Sequence, residues 1–185
     1  MVRDAQATKR RLLEAASTEF AERGIAGARV DRIAAHAGSN KAQIYTYFGS
    51  KDALFDAVFD EMVIATVESV PIDPDHLPEY AGRLFDHAIE HPGQLRIVLW
   101  DQLERQGKGI RSLEVQGAAA RKGEAIRAAQ RSGLVAKHLP ADLLHQVIGI
   151  VTTQAAFQLQ AEASAAQRAE LRASVVEITR LLTHP

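Results

Sequence analysis

Cysteine is absent from the chain, which excludes disulfides and thiolate metal sites. Apolar runs are short. None approaches the roughly 20 residues that span a bilayer, and the first ten residues, MVRDAQATKR, lack the apolar centre of a signal peptide. The cytoplasm is therefore the expected location. Aromatic residues make up only 5%, which argues against a large aromatic-lined pocket. No glycine-rich phosphate loop, nucleophile elbow or kinase motif is found, and no segment alternates polar and apolar residues over more than a few positions. Those absences set aside the enzymes built on such motifs, and they set aside sheets.

What is present is an ordinary globular composition, 46% hydrophobic and 24% charged over 185 residues. That length suits one sizeable domain, or a small one and a medium one. The net charge of −1 is unevenly spread: residues 1–51 carry nine Lys/Arg against five Asp/Glu, and the remainder thirteen against eighteen. A basic N-terminal part on an acidic body fits a chain of which only one end meets a polyanion. A balance of +4 in such a segment is also common where no polyanion binds.

The most informative stretch is Val30 to Lys51, VDRIAAHAGSNKAQIYTYFGSK. Val30, Ile33, Ala34 and Ala37 recur at helical spacing, which predicts a short helix that Gly38 ends. Asn40 offers a capping oxygen to a second helix, Lys41 to Tyr47. Ile44 and Phe48 give that helix one inward stripe, and its other faces carry Lys41, Gln43, Tyr45, Thr46 and Tyr47. So short a helix with so little apolar surface cannot stand alone. It needs a scaffold, and its polar face needs a partner.

Seven further helices are expected, making an all-α chain of about nine. The first runs from a cap at Asp4 to about Arg23, with Leu12, Leu13, Ala16 and Phe20 inward and Gly24 as its stop. Ser50 caps another, Lys51 to about Val70. After the breaker PIDPDHLP come Pro78 to Glu90, Gln94 to Gln106 (Leu95, Val98, Leu99 and Leu103 inward, closed by Gly107-Lys108-Gly109), Arg111 to Arg131, Pro140 to about Ala163, and Gln167 to Thr183. Residues 1–50 then form one domain and 51–185 another. The last two helices are unusually apolar, with stripes Leu144, Ile148, Val151, Ala155 and Leu171, Val175, Ile178, Leu182. Small residues such as Ala161 allow close approach. That wide face is either core of the same chain or half of a two-fold four-helix interface with a second copy, and both can hold.

The run LLEAASTEFAERG, five residues, then VDRIAAHAGSNKAQIYTYFGSKDALFDAV resembles the N-terminal domain of the TetR family of bacterial transcriptional regulators over roughly residues 8–58. The resemblance implies a three-helix helix-turn-helix head on a helical effector-binding and dimerisation body. The implied function is a ligand-responsive, homodimeric DNA-binding regulator, a repressor released by a small molecule or an activator of the same fold. It also implies that Tyr45, Tyr47 and Lys51 stand at DNA-contacting positions. The residues themselves agree. Lys41 suits a phosphate or a guanine edge, Gln43 can pair bidentately with adenine, Tyr45 and Thr46 can reach bases or backbone, and the Tyr47 hydroxyl suits a phosphate. Each has a plainer reading, the tyrosines as packing residues and the lysines as solvated charges. The family usually opens the helix before the turn with Thr or Ser, where this chain has Ala28 and Arg29, so Arg29 is expected to replace a hydroxyl's phosphate contact with a charged one.

If the resemblance holds, the body contains the effector site, with candidates Phe59, Met62, Phe85, His87, Arg96, Trp100, Gln154, Phe157 and Gln158. One competing motif remains. His87-Ala88-Ile89-Glu90-His91 matches the H-x-x-E-H pattern of zinc peptidases, which would make the chain a helical metallohydrolase using His87, Glu90 and His91. Pro92-Gly93 ends that helix at once and no third ligand follows at a recognisable spacing, so no metal and no cofactor are expected.

Overall fold

The computed structural model describes residues 2–107, 112–159 and 163–185. Among them are nine α-helices: α1 (Val2–Gly27), α2 (Val30–His36), α3 (Lys41–Phe48), α4 (Lys51–Ser69), α5 (Leu77–Glu90), α6 (Pro92–Arg105), α7 (Leu113–Ser132), α8 (Ala141–Gln158) and α9 (Ala165–Thr183). A 3-10 turn, Pro74–His76, precedes α5, and no described residue lies in a strand. Lys108, Gly109, Arg111 and Ala161 lie outside the described residues. The chain packs as two units. One comprises the chain up to Ile64 with Pro92–Val115, the other Ala65–His91 with Gln116–Pro185.

In the first unit, Leu12, Ala16, Phe20, Ile33, Ile44, Leu54, Phe55 and Ile97 are wholly buried. Phe20 meets Phe55 edge to face, ring centres 5.1 Å apart. Asp4 lies inside the first turn of α1 and does not cap it, a position where a carboxylate still complements the helix dipole. Gly24 interrupts α1 with φ +73, and a Cβ there would come within 2.6 Å of Glu104 Oε1. A side chain is thus excluded twice, by conformation and by space.

The inward face of α6 differs from the apolar pattern. Leu103 is 75% exposed, whereas Ile97 and Asp101 are buried. Polar anchors set this rotation. Arg96 Nε donates to Ala21 O at 2.6 Å, and Glu104 accepts from the Ala26 N–H at 2.6 Å. These satisfy backbone groups left free where α1 breaks, and hydropathy cannot register them. Arg105, paired with Asp56 at 2.6 Å, follows the same face.

In the second unit α5, α8 and α9 pack on one another. Leu77, Tyr80, Phe85, Leu144, Ile148 and Val175 are at most 1% exposed. Gly82 lets α9 approach α5 closely, since a Cβ there would lie 2.8 Å from the Arg172 guanidinium. That guanidinium's Nε bonds both Asp86 carboxylate oxygens, at 2.9 and 2.8 Å. Buried Thr152, Thr179 and Thr183 each return their hydroxyl proton to the carbonyl four residues back, so none of these three hydroxyls is stranded. α8 stops at Gln158, short of the expected Ala163, with Leu159 extended. The capping box that opens α9 explains the break: Ser164 Oγ accepts from Gln167 N, and Gln167 Oε1 accepts from Ser164 N at 2.8 Å.

Candidate nucleic-acid interface

α2 and α3 are held by short-range chemistry. The turn between them passes through Gly38 at φ +58. Asn40 Oδ1 accepts from Gln43 N at 3.0 Å, the cap expected of it. Ile44, wholly buried, anchors α3 from inside. Lys41, Ala42, Tyr45 and Thr46 are left exposed on one outward face. The Asn40 cap and the buried Ile44 thus set which face of α3 turns inward and leave a polar face outward, as a helix that reads a groove requires.

The candidate DNA-contacting residues fall into three groups. Tyr45 (46% exposed) and Thr46 face outward. The Thr46 hydroxyl donates to Ala42 O at 2.9 Å, which turns its methyl to the surface. Lys41 is exposed and pairs with Asp31 of α2 at 2.9 Å. The Asp31 partner holds the Lys41 pKa above its ordinary value. The pair is solvated on both sides, so a phosphate can take Asp31's place. Gln43 is half-buried, its amide oxygen accepting from the Ser39 hydroxyl; its N–H₂ remains for a base edge. Tyr47 is half-buried and packs edge to face on Phe48. Lys51 is also half-buried, and its ammonium donates to the carbonyls of Ile25 at 2.8 Å, Ala28 at 3.2 Å and Ala26 at 3.4 Å. All three of its protons thus secure the turn that follows α1. Exposed Ala42, beside Lys41 and Thr46, is a position that sequence reading passed over; only its place on the outward face marks it.

Arg29 is the N-cap residue of α2 and provides no side-chain cap. Glu19 of α1 takes that role: its Oε1 accepts from Arg29 N at 3.0 Å and from Arg32 Nε at 2.7 Å. Burial pushes the Glu19 carboxyl up, but the bonds from Arg32 and the Arg29 N–H, with the charges of Arg32 and Arg23, outweigh it and leave the pKa below the usual 4.5. A depressed carboxylate contributes fully above the unfolded value, and the contribution is lost as pH falls through the lower folded value. Glu19→Ala, which removes the acceptor, is therefore expected to destabilise the first unit by about 1 kcal/mol at pH 7, the usual cost of a lost cap. Denaturant midpoints should show the gap to wild type closing well below pH 4.5. The Arg29 side chain, which has no acceptor to cap with, is exposed and makes no hydrogen bond or ion pair among the described residues.

The effector candidates divide between the two units. In the first, Phe59 and Met62 belong to the apolar core, with Trp100 packed against it. Trp100 Nε1 points at Ala21 O, and Arg96 is an anchor of α6. In the second, Phe85 is buried and His87 bonds Thr66 at 3.3 Å. Gln154, Phe157 and Gln158 are exposed, because the inward face of α8 follows Leu144, Ile148, Thr152 and Ala156. That phase also corrects the interface stripe. Leu144, Ile148 and Val175 are core of their own chain, and Val151, Ala155, Leu171 and Leu182 are half-buried. Ile178 (42% exposed) is joined on the surface by Ile150 (65%), Leu181 (63%), Leu143 and Phe157. The zinc pattern fails geometrically. The His87 and His91 rings stack 4.2 Å apart and His91 Nδ1 is engaged with His87 O. No group of three or more His, Asp or Glu among the described residues could hold a metal.

A helix-turn-helix with an outward polar face, carried on an all-helical body, defines a DNA-binding regulator. Known proteins agree. Residues 12–58 match the bacterial regulatory proteins of the tetR family, and residues 76–180 match the tetracyclin repressor-like C-terminal domain. The HTH-type transcriptional repressor SCO4008 of Streptomyces coelicolor is 42% identical over 150 residues, covering 80% of this chain and 78% of that protein. The HTH-type transcriptional repressor NicS of Pseudomonas putida is 30% identical over 129 residues, 66% of this chain and 59% of that one. The crystal structure of the transcriptional regulator SCO4942 of Streptomyces coelicolor superposes with a TM-score of 0.77 at 35% identity, covering 95% of this chain and 98% of that one. The chain belongs to the TetR family, whose members bind DNA and small-molecule effectors and act as dimers. It is a transcriptional regulator and not an enzyme. Among the described residues no helix is long and apolar enough to cross a membrane.

Proposed function

We propose that the chain is a cytoplasmic repressor that binds a near-palindromic operator as a homodimer and leaves it when a small molecule occupies the body. The observation that carries this reading is the outward face of α3, where Lys41, Tyr45 and Thr46 stand exposed on a helix locked by Asn40 and Ile44. In this reading residues 1–50 read the DNA and residues 51–185 bind effector and partner. One α3 enters each of two successive major grooves. Gln43, Tyr45 and Thr46 read base edges; Arg29, Lys41 and Tyr47 grip phosphates; Lys51 braces the turn behind them. The exposed apolar residues of α8 and α9, Ile150, Phe157, Ile178 and Leu181, meet their equivalents in a second copy, with Val151, Ala155, Leu171 and Leu182 at the margin. Phe85 and His87 are the inward-facing effector candidates of the second unit.

Arg29→Ala tests the phosphate grip. It is expected to weaken operator binding and to lower the slope of log affinity against log salt by about 0.9 per half-site. An unchanged slope in a fluorescence titration would remove Arg29 from the interface. Release follows from chain connectivity. α4 begins at Lys51, behind the reading helix, and its residues from Ala65 onward belong to the second unit. An effector that favours one setting of α4 changes the spacing of the two reading helices. By reciprocity, operator weakens effector binding as much as effector weakens operator binding.

A further inference from the structure

The second unit buries a cation without a counter-ion. Lys122, on α7, is 8% exposed. Its ammonium makes one hydrogen bond, to Tyr80 Oη on α5 at 2.9 Å, and lies 5.4 Å from the centre of the Tyr80 ring. No carboxylate pairs with it among the described residues, and burial alone lowers its pKa. An ammonium has three donors, so two remain unused. Tyr80 is wholly buried; its oxygen accepts from Lys122, and its own proton finds no acceptor among the described residues. Burial pushes the Tyr80 hydroxyl up to about 12, so it keeps that proton at any ordinary pH.

His145, on α8, belongs to the same unit. Burial lowers its pKa, and the Lys122 charge lowers it further. Asp142, the acid nearest in effect, is engaged by Arg127 at 3.1 Å. Leu77, Ile126, Leu144 and Ile148, all at most 1% exposed, belong to the apolar interior of the same unit. Among the described residues this buried spot therefore joins two hydrogen-bond donors, Lys122 Nζ and Tyr80 Oη, and offers them the Tyr80 oxygen as acceptor. As pure core this is a poor arrangement, because a buried donor without a partner costs free energy that a leucine or methionine would avoid. The chemistry that completes it is an oxygen-rich anion.

We propose that Lys122 Nζ and Tyr80 Oη form the polar end of the effector site, and that the effector is an organic acid whose anionic oxygens meet these donors while its apolar remainder fills the surrounding core. This rests on the reading that the body binds an effector.

The test uses the full chain, thermal melting, and operator binding in parallel. Octanoate and benzoate are each compared with their neutral amides, and inorganic phosphate forms a separate arm. At least one acid is expected to raise the melting temperature by about 5–10 °C at concentrations far above its dissociation constant and to weaken operator binding, with neither its amide nor phosphate doing so. Lys122→Met and Tyr80→Phe should each abolish that shift, and Lys122→Met should melt no lower than wild type. Should Lys122→Met fail to fold, Tyr80→Phe carries the test alone. The proposal is overturned if neither acid shifts the melt, if acid and amide act alike, if phosphate alone acts, or if both variants keep the shift. Failure of the ligand-free protein to bind any operator would instead undo the regulator reading, leaving the melting comparison standing.

Discussion

Arginine at both Ile150 and Leu181 is expected to turn the dimer into a monomer and to weaken operator binding by about 10²–10⁴-fold. In a single chain these side chains are 65% and 63% exposed, so replacing them removes almost no packing within the chain. Two charges placed in the proposed α8–α9 interface, unpaired and desolvated, are a different matter, because burying them has no compensating partner. Once the partner is lost, each reading head binds its half-site without the high effective concentration that linkage provides. Arginine is chosen because its positive charge cannot repel DNA, so a loss of affinity reports the loss of the dimer. Light scattering should give the mass of one chain, with helical content and melting temperature close to wild type. A variant that stays dimeric would move the interface away from this face.

Phe55→Ala is expected to cost about 3–5 kcal/mol, the usual penalty for deleting a buried aromatic ring. Phe55 is wholly buried, meets Phe20 edge to face, and lies beneath the Arg105 guanidinium at 4.9 Å from its ring centre. It joins α4 to the scaffold that supports α3. Few domains can lose that much and remain folded, since total stabilities are about 5–15 kcal/mol. Operator binding should therefore be lost at 37 °C and recovered in part on cooling. Phe55→Leu, which keeps most of the volume, should cost well under half as much. Urea unfolding followed through the first unit checks both, and equal losses for the two variants would show that ring packing is not what holds α4.

The parts of this molecule that were readable from sequence are those set by neighbours a few residues apart. Asn40 capping α3, Ser50 accepting from Ala53 N at 3.0 Å at the start of α4, and the break at Gly24 are all local chemistry. The illegible parts depend on distant partners. Nothing near Arg29 announces that Glu19, ten residues earlier, will accept its backbone N–H. Leu103 looks inward by pattern, yet the carbonyl of Ala21, seventy-five residues from Arg96, decides which face of α6 turns in. Lys51 reads as a free cation until the folded turn offers it three carbonyls. On α8 the apolar stripe of the sequence, Leu144, Ile148, Val151 and Ala155, and the buried face, Leu144, Ile148, Thr152 and Ala156, part after Ile148. Leu143 and Leu144 are adjacent and equally apolar, and only the packing of α5 and α9 decides that Leu144 is core and Leu143 surface. Lys122 carried no signal at all, since a lysine in an alanine-rich amphipathic helix is ordinarily a solvated one.

The central claim is that the outward face of α3 reads DNA. The most direct measurement is a gel shift with the purified chain on the DNA flanking its own coding sequence, run across a salt series with unrelated DNA as competitor. The account predicts a complex with two chains per site that survives competitor and weakens steeply as salt rises. Tyr45→Ala should lower the preference for that site over unrelated DNA. Binding that is equal on all sequences, or no salt-sensitive complex at all, would contradict it.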